Sequence, residues 1–131
     1  MGNEVSNDYL GADIPEITTQ TGTTPKELYR CSDYKYLKLT KLVLTNQDTA
    51  TTQVVKIVDA DLIDTNEDTY KGEAYRKLSV VIGPQDTMFL NDKDDFGAVY
   101  FRYGVCGYNS TSKSAGSGVL VRIVGEEISG A

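Results

Sequence analysis

The chain reads as an all-β protein, an antiparallel β-sandwich or jelly roll of about seven to eight strands with an extended N-terminal arm. Three observations carry that reading. Short apolar runs rich in Val, Leu, Ile and Tyr recur through residues 29–131, separated by clusters of Gly, Pro, Asn, Asp and Ser. No segment sustains helical periodicity over about 10 residues or more. The tetrapeptide Gly83-Pro84-Gln85-Asp86 lies between two apolar runs, where proline suits a turn and could not serve a central strand.

Taken in order, residues 1–28 come first and show almost no periodic hydrophobicity. Tyr9, Leu10, Ile14 and Ile17 are scattered among Asn, Asp and Thr, so the segment is expected to be an extended arm, either mobile or ordered only against a partner through those four residues, with a frayed terminus of no role as the equal alternative. Residues 29–131 form the expected β-domain. Tyr34–Asn46 is a long strand in which Leu37 and Leu39 share one parity, Leu42 and Leu44 the other. A single register cannot bury both pairs on one side, so a bulge is expected near Thr40-Lys41, or else both faces are covered along part of the strand. Asn46–Ala50 is a polar turn and Gln53–Val58 the returning strand of a hairpin. Residues 59–71 form an acidic connection. Tyr75–Ile82 and Thr87–Leu90 are strands flanking the proline turn, and Asn91–Asp95 is a charged loop. Val99–Val105 is an aromatic strand, residues 107–118 a Gly/Ser/Thr loop, and Val119–Ile128 the last strand.

Composition narrows the chemistry. The chain has 131 residues, enough for one domain with a core. Thirteen basic against nineteen acidic residues give a net charge of −6, which repels nucleic acid. No apolar run reaches the roughly 18 residues of a membrane span. The opening MGNEVSNDYLGADIPE has neither a basic start nor an apolar centre, so no secretory signal is expected. Histidine is absent, which removes His-based triads, Cys–His dyads and His-containing zinc sites from this chain. Cys31 and Cys106 are expected as reduced, buried thiols, with a disulfide as the alternative. No enzymatic activity and no obligatory cofactor are expected.

Two features point to binding. Asp59, Asp61, Asp64, Asn66 and Asp68 place oxygen ligands at alternating positions, as a hard cation such as Ca²⁺ requires. The match to an EF-hand then fails, because Thr69 stands where glycine is needed and Tyr75 where a bidentate Glu is needed. A solvated acidic loop is the default. Nine tyrosines and no tryptophan are the second feature, and Tyr70 and Tyr108, read as loop residues, are the candidates for interface or sugar contact. Asp92, Asp94 and Asp95 are read as exposed loop carboxylates rather than a catalytic pair.

The order of the pieces adds one more reading. They are Leu39-Thr40-Lys41-Leu42-Val43-Leu44-Thr45-Asn46, the valine-rich Val54–Val58, the run from Val80 through Gly83-Pro84-Gln85-Asp86-Thr87 to Leu90, and the closing Gly125-Glu126-Glu127. In these the chain resembles small β-sandwich structural proteins of tailed bacteriophages, found on heads, tails and head fibres. The resemblance spans residues 36–128 and lies in patterns of fold rather than of chemistry. The acidic insertion at 59–71 and the aromatic Tyr100–Tyr103 strand depart from the pattern. The resemblance implies a non-enzymatic virion structural protein, a capsid decoration or head/tail accessory subunit. It would bind coat or tail proteins of the same particle, as a homo-oligomer with a trimer favoured, after synthesis in the host cytoplasm. The alternative is a carbohydrate- or receptor-binding module with loop calcium.

Overall fold

The computed structural model describes residues 3–7, 14–18, 25–31, 35–59, 63–64, 69–70, 76–102, 104–110 and 112–129. In chain order the strands are β1 (Asn3–Ser6), β2 (Glu16–Ile17), β3 (Lys26–Arg30), β4 (Lys35–Asn46), β5 (Gln53–Asp59), β6 (Ile63–Asp64), β7 (Thr69–Tyr70), β8 (Arg76–Ile82), β9 (Thr87–Asn91), β10 (Tyr100–Phe101), β11 (Gly104–Asn109) and β12 (Val119–Ser129). A six-stranded antiparallel sheet runs β1-β12-β4-β10, with β2 also on β12 and β9 also on β4. A four-stranded sheet runs β3-β11-β5-β8, and β6 pairs with β7 alone. The two larger sheets enclose an apolar core, so the fold is an all-β sandwich. The strand count exceeds the expected seven or eight because four of the segments are only two residues long.

The paired strands β4 and β12 form the spine of the molecule, in register from Asn46 opposite Val119 to Lys35 opposite Ser129. Leu37, Leu39, Leu42 and Leu44 are all fully buried, and the inward parity changes between Leu39 and Leu42. Lys41 faces Val124 while Leu39 faces Gly125, which leaves Thr40 as the extra residue of a bulge. The Thr40 hydroxyl donates to the Val124 carbonyl at 3.0 Å. The bulge expected near Thr40-Lys41 is therefore present. It lets one strand bury four leucines on one face, each contributing about 1.5–3 kcal/mol. Opposite it, a Cβ on residue 125 would stand 2.6 Å from the Lys38 carbonyl oxygen, so glycine is required there.

The hairpin expected from residues 46–58 does not form, because β4 and β5 belong to different sheets. The chain instead arches from one layer to the other. The Gly83–Asp86 turn does the same between β8 and β9, closed by an Asp86 N–H to Gly83 carbonyl bond of 3.1 Å with Gln85 at φ 56°. The aromatic strand expected over Val99–Val105 is likewise split: β10 lies in the six-stranded sheet and β11 in the four-stranded one.

The described parts of residues 1–28 also differ from the expected arm. β1 pairs with Val124–Glu127 and β2 with Val119–Leu120, both along the same side of β12. Asn7 joins the two pairings, its Nδ2 donating to the Val121 carbonyl (3.0 Å) and its Oδ1 accepting from Ile123 N–H (2.8 Å). β3 pairs with β11, and Leu28 belongs to the core, so the boundary placed at residue 28 falls inside a strand. Each of these segments carries one inward apolar anchor, Val5, Ile17 or Leu28, which is too little for alternation to be read. Among the described residues no helix is long and apolar enough to cross a membrane.

Candidate interaction surface

The outer face of the six-stranded sheet is built from the residues that β4 and its neighbours turn away from the core. The register sets them in rows across β12, β4 and the β9/β10 edge: Leu120–Thr45–Thr87, Arg122–Val43–Phe89, Val124–Lys41–Asn91, Glu126–Lys38–Tyr100 and Ile128–Tyr36. Phe89 is 75% exposed, Tyr100 48% and Tyr36 37%. Met88 and Leu90 pack against the core, and strand alternation then forces Phe89 to the outside. A phenylalanine in mid-strand and exposed to water, beside half-buried Val43, is the arrangement that interfaces use for anchor residues, and Tyr100 and Tyr36 lie two and three rows away on the same face. The four-stranded sheet has a smaller outward apolar residue, Val81, at 59% exposure.

The edge beside Phe89 is closed by a charged segment. Asp92–Phe96, expected as a loop, forms a single wide helical turn in which Gly97 N–H donates to the Asp92 carbonyl at 2.8 Å. Asn91 caps it, its Oδ1 accepting from Asp94 N–H (2.8 Å) while its own N–H donates to Asp95 Oδ2 (2.8 Å). These carboxylates therefore fix the end of β9.

A buried polar network holds one end of the sandwich. Asn46 Nδ2 donates to the carbonyls of Thr51 (2.8 Å), Ile82 (3.0 Å) and Gly83 (3.0 Å). Its Oδ1 accepts from Asp48 N–H (2.9 Å) and from Gln53 Nε2 (2.6 Å). Gln53 also donates to the Ser117 carbonyl (2.9 Å) and accepts from Asn109 Nδ2. Nearby, Lys113 Nζ lies 2.6 Å from Asp48 Oδ2 and holds that carboxyl well below the usual carboxylate range. Glu16 Oε2 accepts from Gln47 Nε2 (2.6 Å), Gly116 N–H (2.8 Å) and Gly118 N–H (3.0 Å), pinning the Gly116–Gly118 segment to β2. The network ties both arches and the loop into one rigid end.

At the other end the Tyr29 hydroxyl donates to Glu127 Oε1, linking β3 of one sheet to β12 of the other. Burial, then the bond to Glu127, pushes the Tyr29 hydroxyl above its ordinary pKa of 10.0. Asp59 Oδ2 accepts from Arg102 N–H at 2.7 Å, where the chain passes from β10 to β11. Cys31 is half-buried and Cys106 buried, both as free thiols. Burial raises Cys31 to about 11, helped by the charges of Glu127 and Asp59. It raises Cys106 to about 12, helped by Glu27. Thiols so protonated are poor nucleophiles.

These placements revise the residues singled out in the sequence. Ile17 is fully buried in the core, so its apolar surface is spent inside the sandwich; Ile14, 38% exposed, stays at the surface. Tyr108 lies in β11 rather than a loop and is 7% exposed. Asp59 ends β5 and is 5% exposed, its carboxylate engaged with a backbone N–H rather than presented on a loop. Asp64 and Tyr70 lie in the β6–β7 ladder, where Ile63 faces Tyr70 and Asp64 faces Thr69. Tyr9, Leu10, Asp61, Asn66 and Asp68 lie outside the described residues. Among the described residues no group of three or more Cys, Asp or Glu side chains is placed to hold a metal ion. Phe89 and Val43, the centre of the surface, were not singled out, because Met88-Phe89-Leu90 is apolar throughout and shows no alternation.

No family model, curated protein or solved structure matches the chain.

Proposed function

We propose that this chain is a non-enzymatic virion structural protein, a capsid decoration or head/tail accessory subunit, and that it assembles through the outer face of its six-stranded sheet. The observation that carries the assembly role is Phe89, 75% exposed in the middle of a paired strand and opposite Val43, with Tyr100 two rows away on the same face. Burying such a ring is worth about 1.5–3 kcal/mol, so a subunit that leaves it in water gains most when a neighbour covers it. The bonded ends support the same reading: a sandwich clamped at both ends presents a face of fixed shape, which lowers the ordering cost of association. The virion setting rests on the order of strand and turn motifs from Leu39 to Glu127. A subunit that binds only the assembled particle stabilises that particle by mass action. Quantitative mass spectrometry of purified particles encoded by the same genome is expected to find the chain at a fixed stoichiometric copy number. Its absence from every such particle would exclude the virion role.

A further inference from the structure

We infer that the chain dimerises through the open edge of β8, which pairs antiparallel with β8 of a second copy and joins two four-stranded sheets into one. That edge is separate from the assembly face around Phe89. β8 pairs only with β5 and ends the order β3-β11-β5-β8. Ser110 N–H donates to the Val54 carbonyl at 2.9 Å, so Val54 turns its main chain toward β11. Alternation then turns Gln53, Val55 and Ile57 toward β8, where they meet Ile82, Val80 and Leu78. Ser79 and Val81 therefore aim their N–H and carbonyl groups away from β5. Both residues are exposed, and no main-chain group among the described residues bonds to them on that side.

The other edges are guarded. In β9 the same alternation, set by the Asn46 N–H bond to the Asp86 carbonyl (2.9 Å), turns Thr87, Phe89 and Asn91 outward. Carboxylates occupy both end donors: Asp86 Oδ1 accepts from Thr87 N–H (2.9 Å) and Asp95 Oδ2 from Asn91 N–H (2.8 Å). β3 carries exposed Lys26, Glu27 and Arg30, and β1, β2 and β10 are four residues long or shorter. Charge and brevity block edge pairing; past the bulge at Lys77, Leu78–Ile82 carries neither charge nor proline.

This strand is its own complement. A twofold axis at Val80 sets Ser79 opposite Val81 of the second copy, and each such pair exchanges both N–H···O bonds. On the inner side half-buried Leu78 meets Ile82 of the second copy, so each core gains cover at its edge. The basic Arg76-Lys77 end of each strand meets the other copy's Gly83–Asp86 turn, where Asp86 is exposed. The ends therefore attract, although each chain carries a net charge of −6. The arrangement is a dimer, in place of the trimer that the phage resemblance implies, and it leaves the Phe89 face open.

Sedimentation equilibrium of the purified chain is expected to show a species of twice the 14.4 kDa chain mass at about 10–100 μM. Amide exchange of the wild type, read residue by residue, locates the contact. Ser79 and Val81 N–H slow roughly tenfold or more as the dimer forms, while Val80 and Ile82 N–H, bonded to β5, are slow throughout. Ser79→Pro and Val81→Pro each remove an outward N–H and no bond to β5. Each raises the dissociation constant roughly tenfold or more, with circular dichroism verifying the fold. Phe89→Asp, on the other sheet, and Val81→Asp, which keeps the main chain, leave the dimer in place. A wild-type monomer throughout that range would overturn the inference. So would a dimer whose Ser79 and Val81 amides exchange as in the monomer, one indifferent to both folded proline variants, or one that Phe89→Asp dissolves. Particle occupancy separates this from the function itself. A dimer absent from particles leaves the inference standing and removes the virion role, whereas a monomer present in particles does the reverse.

Discussion

Replacing Asn46 with alanine is expected to destabilise the fold by about 3–5 kcal/mol. Asn46 is 1% exposed; its two Nδ2 hydrogens are shared among three carbonyls and its Oδ1 accepts two hydrogen bonds. Alanine leaves the carbonyls of Thr51, Ile82 and Gly83 without that donor and Gln53 Nε2 without that acceptor, in a place water reaches poorly. These groups belong to both arches, so the loss spreads over β4, β5, β8 and β9 together. Asn46→Asp provides the sharper comparison. It keeps the size and the acceptor but turns carboxylate oxygen toward three carbonyl oxygens, so at neutral pH it should be at least as harmful as alanine. Urea unfolding monitored by circular dichroism checks both. A loss below about 1 kcal/mol for either variant would show that the network is not what joins the arches.

Alkaline pH is expected to destabilise the protein progressively above pH 9. Cys106 is raised from 9.0 to about 12 by burial and then by Glu27, and Cys31 to about 11 by burial and then by Glu127 and Asp59. Tyr29 is raised by burial and by its bond to Glu127. In each case the folded state holds its proton more tightly than the unfolded chain does. The stabilisation is therefore complete below pH 9 and is lost as pH rises toward the folded-state value. Between the two values a fully buried group costs up to about 1.4 kcal/mol per pH unit. Cys106, the most buried of the three, dominates, while Cys31 and Tyr29 add less because solvent screens them. Melting temperature should be flat from pH 6 to 8 and fall steeply above pH 9, with Cys106→Ala flattening that fall. A wild-type profile level to pH 10.5 would contradict the placement of Cys106.

The sandwich itself was legible because its long strands alternate. The bulge at Thr40 could be placed because four leucines in two parities need either a bulge or cover on both faces, and the register shows the bulge. Sheet membership was not legible. The polar turn after Asn46 marks where a strand ends, but nothing local tells whether the next strand pairs with the last or crosses to the facing layer. The arch is decided by Asn46 and Gln53, whose side chains meet at 2.6 Å inside the molecule. The N-terminal strands were hidden by brevity, since β1 and β2 each present a single inward anchor and owe their place to β12. The second part of β11 was hidden by composition: Gly107 and Asn109 read as loop residues. Yet a side chain at Gly107 would meet Ile17 Cδ1 at 2.7 Å, so that glycine is there for close packing. Phe89 was invisible as a surface residue because only its pairing with Val43 tells which way it points.

The account places assembly on the outer face of the six-stranded sheet, and the four-stranded sheet supplies its own control. Phe89 and Val81 are both exposed, apolar and in strands, but they lie on different sheets. Copies per particle should be counted by quantitative mass spectrometry for the wild type, Phe89→Asp and Val81→Asp, each confirmed as folded. The account predicts near-complete loss for Phe89→Asp and wild-type occupancy for Val81→Asp; full occupancy for Phe89→Asp, or loss through Val81→Asp alone, would contradict it.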